Sequence, residues 1–276
     1  MTTTTHSDWL STLCRARAGF ALPRRAHERA AAFVDQVLAF LFPHFAPEEQ
    51  SASEDVSREE RVLREDAQSL IAAFGGDGGA RGRTDAFMDA LPSLREALLA
   101  DARYLVASDP AATSEDEVIL AYPGFLATAC YRIAHRLRAL GVPLLPRLVT
   151  EHAHQRTGID IHPGARIGVP FAIDHGTGIV IGESADVGAR VRMYQGVTLG
   201  ALSVEKGLAS AKRHPTIGDD VVLYANATVL GGRTVVGEGS VVGGNVWLTR
   251  SVPARSVVVH KAMEERSAED GLDFHI

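Results

Sequence analysis

Apolar positions fall into two rhythms along this chain. In the first, Ala30, Phe33, Val34, Val37, Leu38 and Leu41 recur at three- and four-residue intervals between Arg25 and Phe45. That spacing lines one face of a helix, and the pattern predicts a helix ending near Pro43. Residues 1–24 have no strong period, and Pro23-Arg24-Arg25 reads as a junction. Ser51–Glu65 is densely charged and predicts a solvated helix face, followed by a break at 75–82, where five of eight residues are glycine. Asp85–Ala107 is helical again, with Met88, Leu91, Leu94, Leu98 and Leu99 on one side and Pro92 expected to kink or restart it. Ser108-Asp109-Pro110-Ala111 has the form of a helix start, with Asp109 as the cap and Pro110 at the first helical position. Residues 122–141 place Phe125, Ala129, Ile133 and Leu137 on one face, and the helical pattern ends around Gln155.

The second rhythm has a period of six. Ile161, Ile167 and Ile173 stand six apart; after a slip of two residues come Ile181, Val187, Met193 and Leu199. An interruption precedes Ile217, Leu223 and Val229, and one further residue is inserted before Val236, Val242 and Leu248. Glycine often follows the aliphatic position, as at Gly168, Gly182, Gly188, Gly200, Gly218, Gly237 and Gly243. Two residues before it stands a small or short one: Ala165, Ala185, Val191, Val197, Ala227, Ser240. Ordinary sandwich or barrel strands would recur about every 8–12 residues with turn clusters between them. A six-residue register held over thirteen hexads with three slips instead predicts a parallel β-helix, each hexad making one short strand and one corner. Its aliphatic side chains point inward, and glycine or another small residue is expected to let the chain turn without a Cβ clash.

Composition narrows the classes. A length of 276 residues with 46% hydrophobic content suits one large or two modest domains with a packed core. The net charge of −6 argues against a nucleic-acid binder. Cys14 and Cys130 have no metal-ligand spacing and read as free thiols of a reducing compartment. No apolar run is long enough to span a bilayer, and MTTTTHSDW lacks a signal-peptide layout, so a cytoplasmic protein is expected. His135 lies between basic residues on a helix and reads as structural. His152 and His154 alternate rather than standing at i and i+4, so they form no helix-borne metal pair.

Four stretches carry a resemblance: DIHPGARIG (160–168), IDHGTGIVIGE (173–183), YQGVTLG (194–200) and KRHPTIGDDV (212–221). With them the solenoid half resembles the hexapeptide acyltransferases, and within these the serine O-acetyltransferases. The resemblance implies an α+β chain, an all-helical N-terminal domain followed by a left-handed parallel β-helix. The expected divisions are a tail at 1–24, a helical domain at 25–156, the β-helix at 157–260 and a second tail at 261–276.

An Asp–His pair suits acyl transfer to an alcohol, because imidazole titrates near neutrality and a carboxylate fixes its tautomer. By resemblance His175 is the general base and Asp160, fifteen residues earlier, its orienting partner. The serine hydroxyl then attacks the thioester of acetyl-CoA, the co-substrate, with no metal expected. The resemblance gives Arg213 the serine carboxylate, which its planar fork matches, and gives His214 a hydrogen bond to the amino acid. Asp174 and Asp109 are the carboxylates for the ammonium group; for Asp109 a cap and a ligand are both open readings. ALSVEKGLASAK (201–212) breaks the repeat as an external loop, longer than in the enteric enzymes, and Ala201 replaces the second glycine of their pair. Gly200, Ala201 and Ala225 are the cofactor-binding candidates.

The resemblance further implies a homotrimer or dimer of trimers, and cysteine as feedback inhibitor. The ending DGLDFHI, with Asp273, Phe274 and Ile276, has the form that inserts into O-acetylserine sulfhydrylase. Other readings are a hexapeptide acyltransferase for homoserine, a sugar or an antibiotic hydroxyl, zinc-dependent carbonic anhydrase chemistry, and a non-enzymatic scaffold. Carbonic anhydrase chemistry needs three convergent imidazoles, and His162, His175 and His214 lack the close pair. A scaffold leaves no reason for both Asp160 and His175.

Overall fold

All six apolar positions picked out on the first amphipathic helix are buried on α2 (Ala26–Leu41), which follows α1 (His6–Ala18). The structure, a computed structural model, describes residues 6–46, 53–202 and 211–260. The expected tail at 1–24 contains α1, which buries no residue. The chain divides into two units, 1–164 and 165–276.

In the first unit a single 3-10 turn, Pro43–Phe45, closes α2. α3 (Ser53–Gly75) begins with the charged stretch and then buries Leu63, Ala67, Leu70 and Ile71. The glycine-rich break is short, because α4 (Ala80–Met88) resumes within it. Pro92 restarts the chain rather than kinking it: it lies in the first turn of α5 (Leu91–Ser108), where its missing N–H costs no intrahelical bond. Leu91, Leu94 and Leu98 are buried, while Leu99 is half-buried.

Asp109 does not open a helix; it is the C-cap of α5, its N–H donating to Leu105 O (2.9 Å). A four-residue turn from Asp109 to Ala112 follows. Asp–Pro is as well suited to opening a turn as a helix, so the dipeptide alone does not separate the two. The start of α6 (Glu115–Ala121) comes later. Ser114 Oγ accepts from Glu117 N (3.1 Å), and the Glu117 carboxylate accepts from Thr113 N (2.7 Å).

α7 (Pro123–Ala139) and α8 (Leu145–Thr157) pack together, α8 against α2 and α7 against α5. Phe125, Ala129, Ile133 and Leu137 are buried as expected. Arg132 on α7 meets Asp101 on α5 through two buried hydrogen bonds, Nε to Oδ2 at 2.6 Å and Nη2 to Oδ1 at 2.8 Å. Two hydrogen bonds in parallel satisfy charges that would otherwise be costly to bury. His135 is structural, its Nδ1 2.9 Å from Pro163 O and its ring beside Tyr131. Gly158, at φ 71°, terminates α8 before β1 (Asp160–Ile161).

The second unit consists of short parallel strands in three rows. One row stacks β2 (Arg166–Ile167), β5 (Asp186–Val187), β8 (Thr216–Ile217) and β11 (Val235–Val236). A second stacks β3 (Phe171–Ile173), β6 (Val191–Met193), β9 (Val222–Leu223), β12 (Val241–Val242) and β14 (Val257–Val258). The third contains β4 (Val180–Ile181), β7 (Thr198–Gly200), β10 (Thr228–Leu230) and β13 (Trp247–Leu248).

Registers reproduce the slips read from the sequence. Val180 pairs with Thr198, eighteen residues on; Arg166 with Asp186, twenty on; Asp186 with Thr216, thirty on; Thr216 with Val235, nineteen on. Of the thirteen inward aliphatic positions, all but Ile167 are buried, and the six small residues two before them are fully so.

The glycine after each aliphatic serves a different purpose from the one expected. Left-handed backbone in these corners falls two residues after that glycine, on Arg190, Asp220 and Gly239. Gly188 and Gly237 instead lie against the next coil: a Cβ on Gly188 would stand 2.3 Å from Asp219 Oδ1, and one on Gly237 would stand 2.3 Å from Ala254 N. Close stacking of coils, not backbone freedom, requires glycine there. No described helix is long and apolar enough to cross a membrane.

Candidate active site

Two corners of the solenoid carry the expected chemistry. The first joins β3 to β4. There Asp174 is tied to the next coil by its N–H, which donates to Met193 O (3.0 Å). His175 follows in left-handed backbone at φ 56°, a region His tolerates better than most side chains. Its side chain is 72% exposed in the single chain, and Nδ1 lies 3.9 Å from Asp174 Oδ1, whose side chain is only 14% exposed. At that distance the two side chains are an ion-pair contact and not a hydrogen bond.

The second corner follows β4 and faces the segment that enters β8. Arg213 Nη2 donates to Glu183 Oε2 (2.5 Å). Ser184 Oγ accepts from Arg213 N (2.9 Å) and His214 N (3.1 Å). His214 Nδ1 lies 2.9 Å from Ser184 Oγ and accepts from Ser184 N (3.1 Å). The ring lies over Gly182, where a Cβ would stand 2.0 Å from Cδ2 and from Nε2. His214 is buried, 8% exposed. Lys212 Nζ donates to Ser184 O (3.0 Å) and Asp186 Oδ2 (2.5 Å), and Arg166 meets the other Asp186 oxygen. Burial raises the Asp186 carboxyl's proton affinity, but Lys212 and Arg166 together hold it below the ordinary carboxylate range.

The structure therefore brings Arg213 and His214 together and adds Gly182, Glu183, Ser184 and Lys212, which the sequence reading did not assign to the site. Glu183 closes the IDHGTGIVIGE stretch and was within reach of that motif. Ser184 carried no signal, since a serine at a corner is ordinary turn chemistry. Only the thirty-residue register between β5 and β8 brings it beside His214.

Asp160 and Asp109 belong to the first unit. Asp160 lies near Arg147, Oδ1 to Nη1 at 3.7 Å, and its carboxylate, Glu151 and His154 hold their ligand-type atoms within 4.8 Å of one another. The Arg147 guanidinium is also paired to Glu151, so one positive charge is shared between the two carboxylates of that group. Asp109 Oδ1 accepts from Ala111 N (2.8 Å), and Oδ2 accepts from Tyr122 Oη (2.7 Å).

Gly200 O accepts from Gly231 N (3.0 Å), and a Cβ on Gly200 would stand 2.7 Å from Leu230 Cδ2, so β7 lies flush against β10 at its end. Ala201 follows it, half-buried. Ala225, also half-buried, accepts at its carbonyl from Asn245 N (2.9 Å) and lies between Asn226 and Tyr224, which stacks on Tyr194. Most of the external loop (203–210) and the tail with Asp273, Phe274 and Ile276 lie outside the described residues.

No family model matches the chain. Individual proteins do. The plasmid serine acetyltransferase of Synechococcus elongatus is 52% identical over 193 residues, 68% of this chain. The chain spans 60% of that relative's length. Among solved structures, Entamoeba histolytica serine acetyltransferase 1 in complex with L-cysteine superposes with a TM-score of 0.76 at 36% identity, covering 82% of this chain and 86% of that one. Neisseria gonorrhoeae serine acetyltransferase in complex with serine does so with a TM-score of 0.61 at 26% identity, covering 89% and 98%. The fold class is the expected one, a helical N-terminal region followed by a left-handed parallel β-helix. On sequence identity and shared fold together, this chain belongs to the serine acetyltransferases.

Proposed function

We propose that the chain transfers acetyl from acetyl-CoA to the hydroxyl of L-serine, giving O-acetylserine for cysteine biosynthesis. The observation that carries this reading is the Arg213–His214 pair, held side by side at one corner. A guanidinium fork next to an imidazole suits an amino-acid carboxylate better than a sugar hydroxyl. Similar proteins have been solved with serine and with L-cysteine bound.

In this reading His175 takes the proton from the serine hydroxyl as its oxygen attacks the thioester carbonyl. The tetrahedral intermediate collapses, the carbon–sulfur bond breaks, and the CoA thiolate recovers the proton from the imidazolium. Asp160 orients His175, and a backbone N–H beside Gly200 stabilises the oxyanion. Arg213 and His214 hold the carboxylate end of serine, Asp109 and Asp174 its ammonium. Gly200, Ala201 and Ala225 contact CoA. Cysteine competes at the serine site as feedback inhibitor. The enzyme works in the cytoplasm as a homotrimer or dimer of trimers, and Ile276 docks it onto O-acetylserine sulfhydrylase.

Release of free thiol from acetyl-CoA, measured against serine, homoserine, threonine and amino sugars, tests the assignment. Serine should be the preferred acceptor. His175→Ala should lower turnover by about 10²–10⁴-fold with an unchanged circular dichroism spectrum, and Asp160→Asn should lower it less. A preference for homoserine or an amino sugar, or normal turnover in His175→Ala, would overturn it.

A further inference from the structure

The proposed function assigns two imidazoles to serine, His175 and His214, and their surroundings give them different jobs. His175 is largely exposed, with the Asp174 carboxylate 3.9 Å from Nδ1. His214 is buried and tied down.

Ser184 is what ties it. The hydroxyl oxygen of Ser184 accepts two backbone N–H groups, from Arg213 at 2.9 Å and His214 at 3.1 Å. A hydroxyl has two acceptor lone pairs and one hydrogen. With both lone pairs engaged, the hydrogen is left for His214 Nδ1, 2.9 Å away. Ser184 N–H is aimed at the same nitrogen at 3.1 Å. An N–H donor requires a lone pair at its target, so Nδ1 is the unprotonated nitrogen and the ring hydrogen sits on Nε2. Protonating Nδ1 would set two N–H groups against each other in a buried place. Gly182 completes the arrangement, since a Cβ there would stand 2.0 Å from Nε2 and drive the ring out. Glu183 holds the neighbouring guanidinium by the same corner.

We propose that Ser184 is a positioning residue that holds His214 as its Nε2–H tautomer, so that His214 donates a hydrogen bond to an oxygen of the acceptor substrate and takes no proton from it. This rests on the serine acetyltransferase reading and deepens it by dividing the labour. His175 removes the proton; His214 and Arg213, locked together by Ser184, present donors to the carboxylate.

The test has an arm that needs no turnover. Nitrogen-15 NMR of the ring nitrogens of the full-length, unliganded protein should show a pyridine-type Nδ1 and a pyrrole-type Nε2 for His214; the reverse assignment, or a doubly protonated ring at neutral pH, overturns the proposal. In the kinetic arm, Ser184→Ala should raise the KM for serine about ten-fold, as expected for the loss of a few hydrogen bonds, with less than about two-fold change in the KM for acetyl-CoA. Ser184→Thr should restore the serine KM. His214→Gln, which keeps an N–H near Nε2, should retain more activity than His214→Ala. An unchanged serine KM in Ser184→Ala, or equal losses in His214→Gln and His214→Ala, would count against it. If the wild-type protein transfers no acetyl group to serine, the parent reading fails while the NMR result still decides the tautomer.

Discussion

Asp186 illustrates how a single corner side chain is set by partners far away in sequence. Its carboxylate lies between Lys212 and Arg166, and the net effect is a proton affinity below the ordinary carboxylate range. A carboxyl with its folded pKa depressed contributes stability above its unfolded pKa, and that contribution is lost as pH falls through the folded value. Asp186→Asn should therefore lower the denaturation midpoint at neutral pH, and the gap to wild type should close below about pH 4. A gap of constant size across that range would mean that the pairing carries no charge term. At this scale the legibility was uneven. Arg213 and His214 stood in a recognisable KRHP stretch. Ser184 did not stand out, although its hydroxyl oxygen accepts from the N–H of both residues of that dipeptide. Asp109 stood open between helix start and ligand because Asp–Pro opens turns and helices alike; its two carboxylate oxygens accept from Ala111 N and Tyr122 Oη.

Among the elements, the solenoid corners are the most exacting. Each coil presses a glycine against the backbone of the next, and at Gly237 a methyl group would stand 2.3 Å from Ala254 N and 2.5 Å from Pro253 C. Backbone atoms offer no flexible end to give way. Gly237→Ala should destabilise the second unit by about 1–3 kcal/mol, the usual cost of overpacking, seen as a lower midpoint in denaturant. A neutral result would mean that the last coil shifts freely. Helical elements were readable wherever the apolar face was complete: α2 buries the six residues its spacing selected. Their ends were less so, because α6 starts from Ser114 and Glu117, whose capping depends on side-chain geometry rather than on an apolar period.

For the whole molecule, the family and the fold follow from the sequence identity and the superposition with serine acetyltransferases. The proposed docking of a sulfhydrylase belongs to this scale, because it concerns the end of the chain, Asp273, Phe274 and Ile276, outside the described residues. Deleting Ile276 should weaken sulfhydrylase binding about ten-fold or more, as removal of a buried anchor does, without altering acetyl transfer. Calorimetric titration of the two proteins would measure it, and unchanged binding would remove the partner.

Hydrophobic period was enough to determine the solenoid, its inward residues and its three slips. Each coil repeats the same geometry, so a side chain's position in the hexad decides whether it faces the core. The amphipathic helices were determined in the same way, by which positions must leave water. Only the tertiary structure decided which corner side chains meet. Ser184 and His214 are brought together across a thirty-residue register that includes an external loop, and hydrogen bonds of that kind leave no periodic trace in the chain. The same holds for the buried Arg132–Asp101 pair, where an ordinary helical arginine and aspartate become partners only once α5 and α7 have packed.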